Sequence, residues 1–433
     1  MLCAMLGSMT AAAASPEITD ERSRAEYWIS RNKDGEELIM TPSEIEALNE
    51  RMQEEMPSLT DLTEIPGYLA GSNVRERIAS VAELGDFTAD EELPEVYEKG
   101  RPLTKTNYAR ALANCNTKAV PASVEVRCGV ATRRGNLRLL PVTDGWFDDA
   151  KDLHYDALQA TAVDPAEPLL ILTDSADGNF SFVIMRNYSG WLLKDAFAET
   201  SREDWNRYVE PKDFAVVTAN KKYISSGKNS QLYQMGAKIP LSKKGGRRPQ
   251  LMMLLPQRRA NGWLEVVKVP AVFDDTLHHG FLSCTKNNFL RQGFRFLGDE
   301  YGWGGLDDSV DCSAFVGDVY RSMGIELPRD ANVQDDVLPK RFVLKGSTAE
   351  RLKELKKYPT GTLLANDYHI MMYLGEDDTG TPMVLQSMSS WFSFKNGKRE
   401  KHYNRRVIVS TVEFLDSRGE PYINGVDSLS ALE

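Results

Sequence analysis

The chain has 433 residues, 42% of them hydrophobic and 27% charged, which is typical of a folded globular protein. The 52 basic and 63 acidic residues give a net charge of −11, which excludes a general nucleic-acid binder because such proteins need a basic surface. Five cysteines are too few for a disulfide-built scaffold or for zinc sites made of paired C-x-x-C motifs. No run of eighteen apolar residues predicts a transmembrane helix.

Residues 1–15 are predicted to form a signal peptide. They are apolar or small and end in an alanine-rich stretch before Pro16, as in the hydrophobic region and cleavage site of secreted proteins. A basic region before them is missing, and Cys3 does not follow a lipoprotein motif. We therefore expect export to the cell envelope, and a cytoplasmic protein with a frayed N-terminus is the alternative.

Residues 16–121 are predicted to be a clip-like helical segment. Thr41-Pro42-Ser43-Glu44 is a capping box with proline at the first helical position. Apolar residues recur at helical spacing in residues 74–84 and 107–112. The segment has too little apolar surface for a core of its own, so we expect it to lie against the rest of the protein.

Residues 122–203 and 204–273 are each predicted to form a small β-barrel. Asp177-Gly178 predicts a hairpin between the apolar residues 169–172 and the alternating residues 180–185. The sequence S-G-W-L at 189–192 is echoed by N-G-W-L at 261–264. Such an echo favours two related barrels in tandem, although chance similarity between two β segments would also explain it.

Residues 274–433 are predicted to form an α+β domain. Residues 287–298 have helical spacing, a second helix runs to Met323, and β runs follow from Gly361. This order of helices followed by strands is typical of α+β domains.

Cys312 is the candidate nucleophile of this domain. It opens the second helix, with Asp311 as a candidate N-cap and Gly324 where a helix-ending glycine is expected. The free N–H groups and the dipole of a helix N-terminus would stabilise its thiolate. An inert buried cysteine is the alternative.

His369 is the candidate base. It opens an apolar strand, and after a turn at 376–380 a second strand contains Gln386. A hairpin centred between Asp377 and Asp378 would place Gln386 directly opposite His369. The amide would then orient the imidazole so that its other nitrogen accepts the thiol proton. This register is an assumption, and a slip of one residue would turn Gln386 to the other face.

Taken in order, these motifs resemble the catalytic domain of NlpC-type papain-like cell-wall peptidases. The matching residues are Tyr301, Trp303–Gly305, Asp311–Ser313, Gly324–Arg329, Gln334 and His369–Gly375. The upstream sequence resembles a multidomain branch of that family, which has a clip-like helical segment and two bacterial SH3 domains before the peptidase. The stretches that match this branch are Tyr27–Ile29, Thr41–Asn49, Thr132–Arg138 and Ala176–Gly178.

The resemblance implies a γ-D-glutamyl-L-diamino acid endopeptidase that acts on peptidoglycan stem peptides. Cys312 would be the nucleophile, His369 the general base and later the acid, and Gln386 the third polar residue, where the family often has histidine. The backbone N–H of Cys312 would supply part of the oxyanion hole, and Tyr301 would add a donor. No cofactor and no metal are implied.

Members with SH3 domains often require a stem peptide with a free N-terminal L-Ala, and the first SH3 domain forms one wall of the cleft. Here Asp311, with Ser313 beside it, would meet the ammonium group. Asp311 cannot fully serve as both N-cap and amine anchor. The expected partners are peptidoglycan or muropeptide stem peptides, with no nucleic acid and no membrane span, and the chain is expected to be a monomer.

Other readings remain open at the level of the sequence. An amidase or acyltransferase could use the same residues, and a wall-binding protein could use its SH3 domains without catalysis. His278 and His279 lack a third metal ligand at useful spacing. Cys115 and Cys128 could pair in an oxidising compartment, and the basic loop at 243–248 is most simply solvated.

Overall fold

The structure is a computed structural model that describes residues 15–88, 93–245 and 250–433. Residues 1–14 of the predicted signal peptide lie outside the described residues, as do Arg247 and Arg248 of the basic loop. Both interpretations therefore stay predictions. Among the helices of the described ranges, none is both long and apolar enough to cross a bilayer.

Outside residues 89–92, the N-terminal segment contains four α-helices and four short strands. The predicted capping box is confirmed, because the Thr41 hydroxyl accepts from the N–H of Glu44 and the Glu44 carboxylate accepts from the N–H of Thr41. The elements in chain order are α1 (Ala25–Ile29), β1 (Leu38–Met40), α2 (Pro42–Glu55), β2 (Tyr68–Ala70), α3 (Gly71–Glu83), β3 (Tyr97–Glu98), β4 (Arg101–Pro102) and α4 (Lys105–Asn114).

This segment is divided between two partners. Helices α1 and α2 bury Trp28, Leu48 and Met52 in the core of the C-terminal domain. Helices α3 and α4 instead bury Ile78 and Tyr108 in the core of the first β region. The prediction that the segment lies against the rest of the protein is confirmed, since each apolar helix face is covered by another domain.

The first β region is a seven-stranded antiparallel sheet in the order β13-β6-β10-β11-β12-β7-β9. The predicted hairpin at Asp177-Gly178 joins two of its neighbouring strands, and Gly178 adopts the positive φ of 73° that such a turn requires. Its elements are β5 (Ser123–Glu125), β6 (Arg127–Ala131), β7 (Gly135–Arg138), β8 (Trp146–Phe147), β9 (Gln159–Val163), β10 (Pro168–Asp174), β11 (Phe180–Ile184), β12 (Ser189–Leu193), β13 (Phe197–Thr200) and α5 (Arg202–Val209).

The second β region is a five-stranded sheet, β19-β18-β17-β14-β20, with a separate hairpin of β15 and β16. The sequence echo does not mark equivalent positions. Trp191 is fully buried inside β12, whereas Trp263 is 50% exposed and follows a turn at Gly262. The elements are β14 (Phe214–Val217), β15 (Lys221–Ser226), β16 (Asn229–Gln234), β17 (Lys238–Lys244), β18 (Gln250–Arg258), β19 (Leu264–Pro270) and β20 (Leu277–His279).

The C-terminal domain places its main helices before a six-stranded antiparallel sheet, as predicted for an α+β domain. The strand order is β22-β27-β23-β24-β25-β26. Its elements are β21 (Cys284–Thr285), α6 (Lys286–Phe294), α7 (Cys312–Arg321), α8 (Ala331–Gln334), β22 (Lys340–Val343), α9 (Thr348–Leu355), β23 (Leu363–Asn366), β24 (His369–Glu376), β25 (Pro382–Lys395), β26 (Lys398–Thr411) and β27 (Ser428–Ala431).

Helix α7 packs on β24 and β25 through an apolar face that is wholly buried. Phe315, Val316 and Val319 of the helix share one core with Met372 and Leu385 of the strands. Burying each such side chain contributes about 1.5–3 kcal/mol. The predicted start of the helix is confirmed by an N-cap at residue 311, whereas its end at Arg321 lies two residues before the predicted Met323, and Gly324 follows with a φ of 91°. This packing holds the first residue of α7 against the first residues of β24.

Candidate active site

The structure brings Cys312 and His369 to one place. Cys312 is the first residue of α7 and His369 is the first residue of β24. The backbone N–H groups of Ile370 and Ser313 are near enough to the Cys312 sulfur to favour its charged form. The thiol therefore lies against the strand residue that directly follows the imidazole.

A chain of hydrogen bonds fixes which imidazole nitrogen can act as base. Ser410 Oγ donates to the carbonyl of Thr411 at 2.9 Å and accepts from Gln386 Nε2 at 2.7 Å. Gln386 Oε1 lies 2.7 Å from His369 Nε2. Because this amide oxygen can only accept, His369 Nε2 must carry the proton, and in the neutral ring Nδ1 keeps its lone pair.

The predicted hairpin register is wrong by two residues. Met372 lies opposite Leu385 and Tyr373 opposite Val384, with a bulge between Tyr373 and Gly375. Gln386 is therefore a diagonal neighbour of His369 and not its direct partner. Because side chains alternate between faces, a slip of two residues keeps both on the same face, and the predicted contact forms.

Asn366, to which the sequence analysis gave no role, fixes the backbone turn that leads into His369. Asn366 Oδ1 accepts from the N–H groups of Tyr368 and His369, both at 3.0 Å. Its Nδ2 donates to the Tyr422 hydroxyl at 3.1 Å and to the carbonyl of Gly425 at 3.0 Å. Asn-Asp at 366–367 is a typical signal for an Asx turn, so the turn was detectable, whereas its link to Tyr422 was not.

The thiol is protonated at rest, contrary to the expectation of a stabilised thiolate. Burial, with a smaller effect from the charge of Asp311, raises the pKa of Cys312 to about 12, and the N–H of Ile370 acts in the opposite direction. Burial also lowers the pKa of His369 below its usual 6.5, against the opposing effects of Gln386 and Asp311. Both groups are therefore neutral near pH 7, so a thiol acting as nucleophile would first have to give up its proton.

Asp311 is the predicted N-cap of α7 and is also the centre of an ionic cluster. Its Oδ1 accepts from the N–H of Ala314 at 2.8 Å, and its Oδ2 accepts from the N–H of Gly304 at 2.9 Å and from Arg329 at 2.6 Å. Burial alone would raise the pKa of this carboxyl, but Arg329 and the two N–H groups hold it below its usual range. Its role as amine anchor stays a prediction, and the Arg329 ion pair opposes it.

Arg329 is the main site residue to which the sequence reasoning gave no role. It is 9% exposed and binds three partners: Asp311, the Ser313 hydroxyl at 2.7 Å, and the Thr161 hydroxyl of the first β region at 2.8 Å. Ser313 is thereby held by Arg329 and also donates to Asp311 at 3.2 Å. Arg329 ends the stretch Gly324–Arg329 that resembles the peptidase family, but nothing local in the sequence shows that it contacts Thr161, 168 positions away.

Residues 155–162 of the first β region border the site. Gln159 Nε2 donates to the carbonyl of Gly304 at 2.8 Å. A Cβ added at Gly304 would lie 2.6 Å from the Gln159 side chain, so the glycine allows the close approach. The Tyr155 ring lies 6.1 Å from that of Tyr301 and 6.2 Å from that of Trp303, measured between ring centroids.

Tyr301 is buried near Cys312. Burial raises the pKa of its hydroxyl well above 10, and the nearby Cys312 adds to that effect. The hydroxyl therefore keeps its proton at physiological pH and can donate a hydrogen bond. Its place in the oxyanion hole stays a prediction.

The other candidate groups serve local structure. His279 Nε2 lies 2.6 Å from the Asp213 carboxylate and its ring stacks on Phe273, while His278 Nδ1 bonds to the carbonyl of Gly280. Within the described ranges, no group of three or more His, Cys, Asp or Glu side chains could hold a metal ion. The described cysteines at positions 115, 128, 284 and 312 are all free and buried.

Two family models match the chain. The model of the NlpC/P60 family matches residues 298–405, a range that includes Cys312, His369 and Gln386. The model of an SH3 domain of the SH3b1 type matches residues 145–193, in the first β region. The two matches confirm the predicted combination of a catalytic domain with a bacterial SH3 domain. No curated protein matches the chain at a significant level.

Several solved structures are similar to this chain. An NlpC/P60 endopeptidase from Photobacterium damselae subsp. piscicida is 17% identical, with a TM-score of 0.77, and the match covers 96% of this chain and 97% of that one. An NlpC/P60 family protein from Bacillus cereus ATCC 10987 is 18% identical, with a TM-score of 0.42 and coverage of 64% and 82%. The first match shows a common fold over nearly the whole chain.

Proposed function

We propose that this chain is a γ-D-glutamyl-L-diamino acid endopeptidase of peptidoglycan stem peptides. Its C-terminal domain is an NlpC/P60 cysteine peptidase domain, and the chain also carries an SH3b domain. NlpC/P60 proteins are cell-wall peptidases, and their combination with SH3b domains is typical of proteins that act on the wall. The observation that carries the proposal is the chain from His369 through Gln386 to Ser410, which leaves His369 Nδ1 free as a base beside Cys312.

The first half of the reaction forms a thioester. His369 Nδ1 accepts the thiol proton, and the Cys312 sulfur attacks the γ-carbonyl carbon of the D-glutamyl residue, so that the carbonyl electrons move to oxygen. The N–H of Cys312, which precedes the helix's own hydrogen bonds, and the Tyr301 hydroxyl stabilise that oxyanion. The C–N bond then breaks, and the imidazolium gives its proton to the leaving amine of the diamino acid.

The second half restores the enzyme. His369, neutral again, accepts a proton from a water molecule whose oxygen attacks the thioester carbon. The C–S bond breaks, the sulfur takes the proton back from the imidazolium, and the D-glutamyl γ-carboxylic acid leaves and loses its remaining proton to solvent. Each step needs one proton acceptor with a pKa near the working pH, and a neutral imidazole held by an amide meets that need.

We further propose that short stems with a free N-terminal L-Ala are preferred. The wall at residues 155–162 and the ionic cluster around Asp311 border the nucleophile, which supports a cleft closed at one end. Asp311 and Ser313 are the proposed contacts for the ammonium group, which would share Asp311 with Arg329. We place the protein, as a monomer, in the cell envelope.

A digest of defined peptides tests this function. Purified protein is incubated with L-Ala-γ-D-Glu-diaminopimelate and with its N-acetylated form, and the products are identified by mass spectrometry. We expect cleavage at the γ-glutamyl bond, faster for the free amine, and none with Cys312→Ala. Cys284→Ala, which removes another buried thiol of the same domain, is the matched control and should cleave normally.

Other results would replace the proposal. Unchanged cleavage by Cys312→Ala would refute the mechanism, and release of a different fragment would indicate an amidase or acyltransferase. Binding to purified sacculi without any hydrolysis would indicate a wall-binding protein whose SH3b domain does the work.

A further inference from the structure

Strands β25 and β26 extend beyond the sheet as a two-stranded ribbon. Strand β24 starts at His369, and beyond Met388 the two strands pair with each other, apart from one isolated bridge between Phe392 and Leu415. The ribbon, which we define as residues 389–404, ends in a two-residue turn at Asn396 and Gly397, with φ values of 53° and 73°. Such a turn favours a tight hairpin with a right-handed twist.

The tip of this ribbon carries four cations and one carboxylate, Glu400, and the cations form no ion pair within the described ranges. Lys395, Lys398, Arg399 and Lys401 are exposed, and in the described ranges none of them forms an ion pair with a carboxylate. Lys395 lies directly opposite Lys398 in the register, a like-charge pair that costs stability in a hairpin. These cations therefore do not stabilise the fold through ion pairs. Their clustering is notable because the chain as a whole has a net charge of −11.

Aromatic side chains alternate with the cations. Phe394 is 38% exposed and Tyr403 is 49% exposed. The Lys401 ammonium lies 4.9 Å from the Tyr403 ring centroid and the Arg399 guanidinium 5.5 Å from that of Phe392. These contacts hold the long basic side chains along the ribbon without consuming their charge.

The base of the ribbon is rigid. Trp391 packs with Met388 and Ile408 and is covered by the His402 ring, stacked at 4.3 Å. His402 Nε2 also lies 2.7 Å from the Ser393 hydroxyl. The charged tip is therefore presented from a fixed platform, so that binding there would order few residues.

The same base borders the active-site cleft. The Ser389 hydroxyl lies 2.7 Å from the Tyr155 hydroxyl. Arg405 directly follows the ribbon in sequence, and its guanidinium lies 4.1 Å from the Tyr403 ring centroid and 5.6 Å from that of Tyr155. The same guanidinium pairs with Asp152. The backbone carbonyl of Arg405 accepts a hydrogen bond from the N–H of Tyr301 at 2.8 Å. A polymer that delivers a stem peptide to Cys312 would pass along this ribbon.

We propose that the ribbon at residues 389–404 is a docking surface for the carboxylates of the peptidoglycan polymer. The inference rests on the proposed function, because stem peptides carry several free carboxylates and the ribbon supplies unpaired cations beside the cleft. Charge attraction of this kind raises the local concentration of a polyanion and weakens as salt is added. The aromatic side chains add apolar contact with the peptide.

Binding to purified sacculi tests the proposal. The protein carries Cys312→Ala so that hydrolysis does not disturb the measurement, and cosedimentation is followed at low and at physiological salt. We expect Lys395→Gln, Lys398→Gln, Arg399→Gln and Lys401→Gln together to weaken binding at least about tenfold and to reduce its salt dependence. The matched control, Arg77→Gln, Lys105→Gln, Lys118→Gln and Lys212→Gln, removes the same charge from exposed residues elsewhere and should stay within about twofold.

Further experiments identify the chemical group that the ribbon binds. Sacculi whose carboxylates are amidated should lose the ribbon-dependent binding. Equal binding by the ribbon variant and the starting protein would overturn the proposal, as would an equal loss in the control variant. Ribbon-dependent binding to phosphatidylglycerol vesicles with none to sacculi would overturn it in favour of a membrane.

Failure of the proposed function would be visible separately. If the protein with Cys312 intact does not cleave the soluble stem peptide, the proposed activity fails, whatever the sacculus binding shows. If it does cleave, the ribbon variant should lose more activity on sacculi than on the soluble peptide. Equal losses on both substrates would contradict docking through the ribbon.

Discussion

Two hydrogen-bond networks meet at Cys312, and they differ in charge. On one side a chain of neutral groups runs from His369 through Gln386 to Ser410. On the other side Asp311 and Arg329 form a buried ion pair that also engages Thr161 of the neighbouring domain. From this comparison we expect a division of roles: the neutral chain would set the proton chemistry, and the ionic cluster would hold the helix start and the domain contact.

The difference follows from what each network must do. A carboxylate partner would stabilise the imidazolium and raise the pKa of His369, whereas an amide orients the ring without adding charge. A buried ion pair, by contrast, resists being separated, because either charge left alone in the interior is costly. Changes on the neutral side should therefore alter rate, and changes on the ionic side should alter stability.

The largest expected effect is on the neutral side. His369→Ala removes the proton acceptor, and we expect kcat/KM for the stem peptide to fall about 10³-fold, within the usual range for a general base. Thermal unfolding should show a midpoint within about 2 °C of the starting protein, since the side chain ends at the cleft. His279→Ala is the control and should be fully active. If His369→Ala kept a tenth of the activity, the assigned base would be wrong.

The next effect is on the ionic side. Arg329→Met leaves the Asp311 carboxylate buried without its partner, and we expect the free energy of unfolding to fall by about 3–5 kcal/mol, measured by denaturant titration. Adding Asp311→Asn should recover part of that loss because it removes the isolated charge. Arg418→Met, which breaks an ion pair whose arginine is 68% exposed, should cost less than about 1 kcal/mol. If Arg329→Met and Arg418→Met lowered the free energy of unfolding equally, the buried ion pair would contribute no more to stability than an exposed one.

The smallest effect is a shift in pH dependence. The proposed mechanism uses the free base of His369, whose pKa is lowered below 6.5, so kcat/KM should stay constant above pH 6.5 and fall only at more acidic pH. Gln386→Glu would make the neutral network charged, raise the pKa of His369, and move the acid limb to higher pH by about one unit. Gln386 acts by positioning the ring, and an unmoved acid limb in this variant would contradict that role.

Local sequence patterns were sufficient to predict that Cys312 opens a helix and that His369 opens a strand. The capping box, the helix start at Cys312 and the glycine at 324 are each decided by neighbours within a few positions, and the structure has all three. Gln386 was found through a wrong register, and the error did little harm because it was an even number of residues.

Features that depend on distant parts of the chain could not be predicted. The contacts of Arg329 with Thr161 and of Ser389 with Tyr155 join residues 168 and 234 positions apart. The direction of the Cys312 pKa was also wrong in the sequence analysis. A helix start is visible in a sequence, but the burial that outweighs it is produced by packing from several elements.

The split of the N-terminal segment has a consequence for folding. Arg22 pairs with Asp377, 355 positions away, the N–H of Ile18 donates to the carbonyl of Val409, and β1 pairs with β21. Closing such loops costs conformational entropy before any contact offsets it, so these contacts form late. Helices α1 and α2 have no core until the last domain is synthesised. A truncated chain would therefore expose their apolar faces, and the complete catalytic domain is assembled only when the two ends of the polypeptide meet.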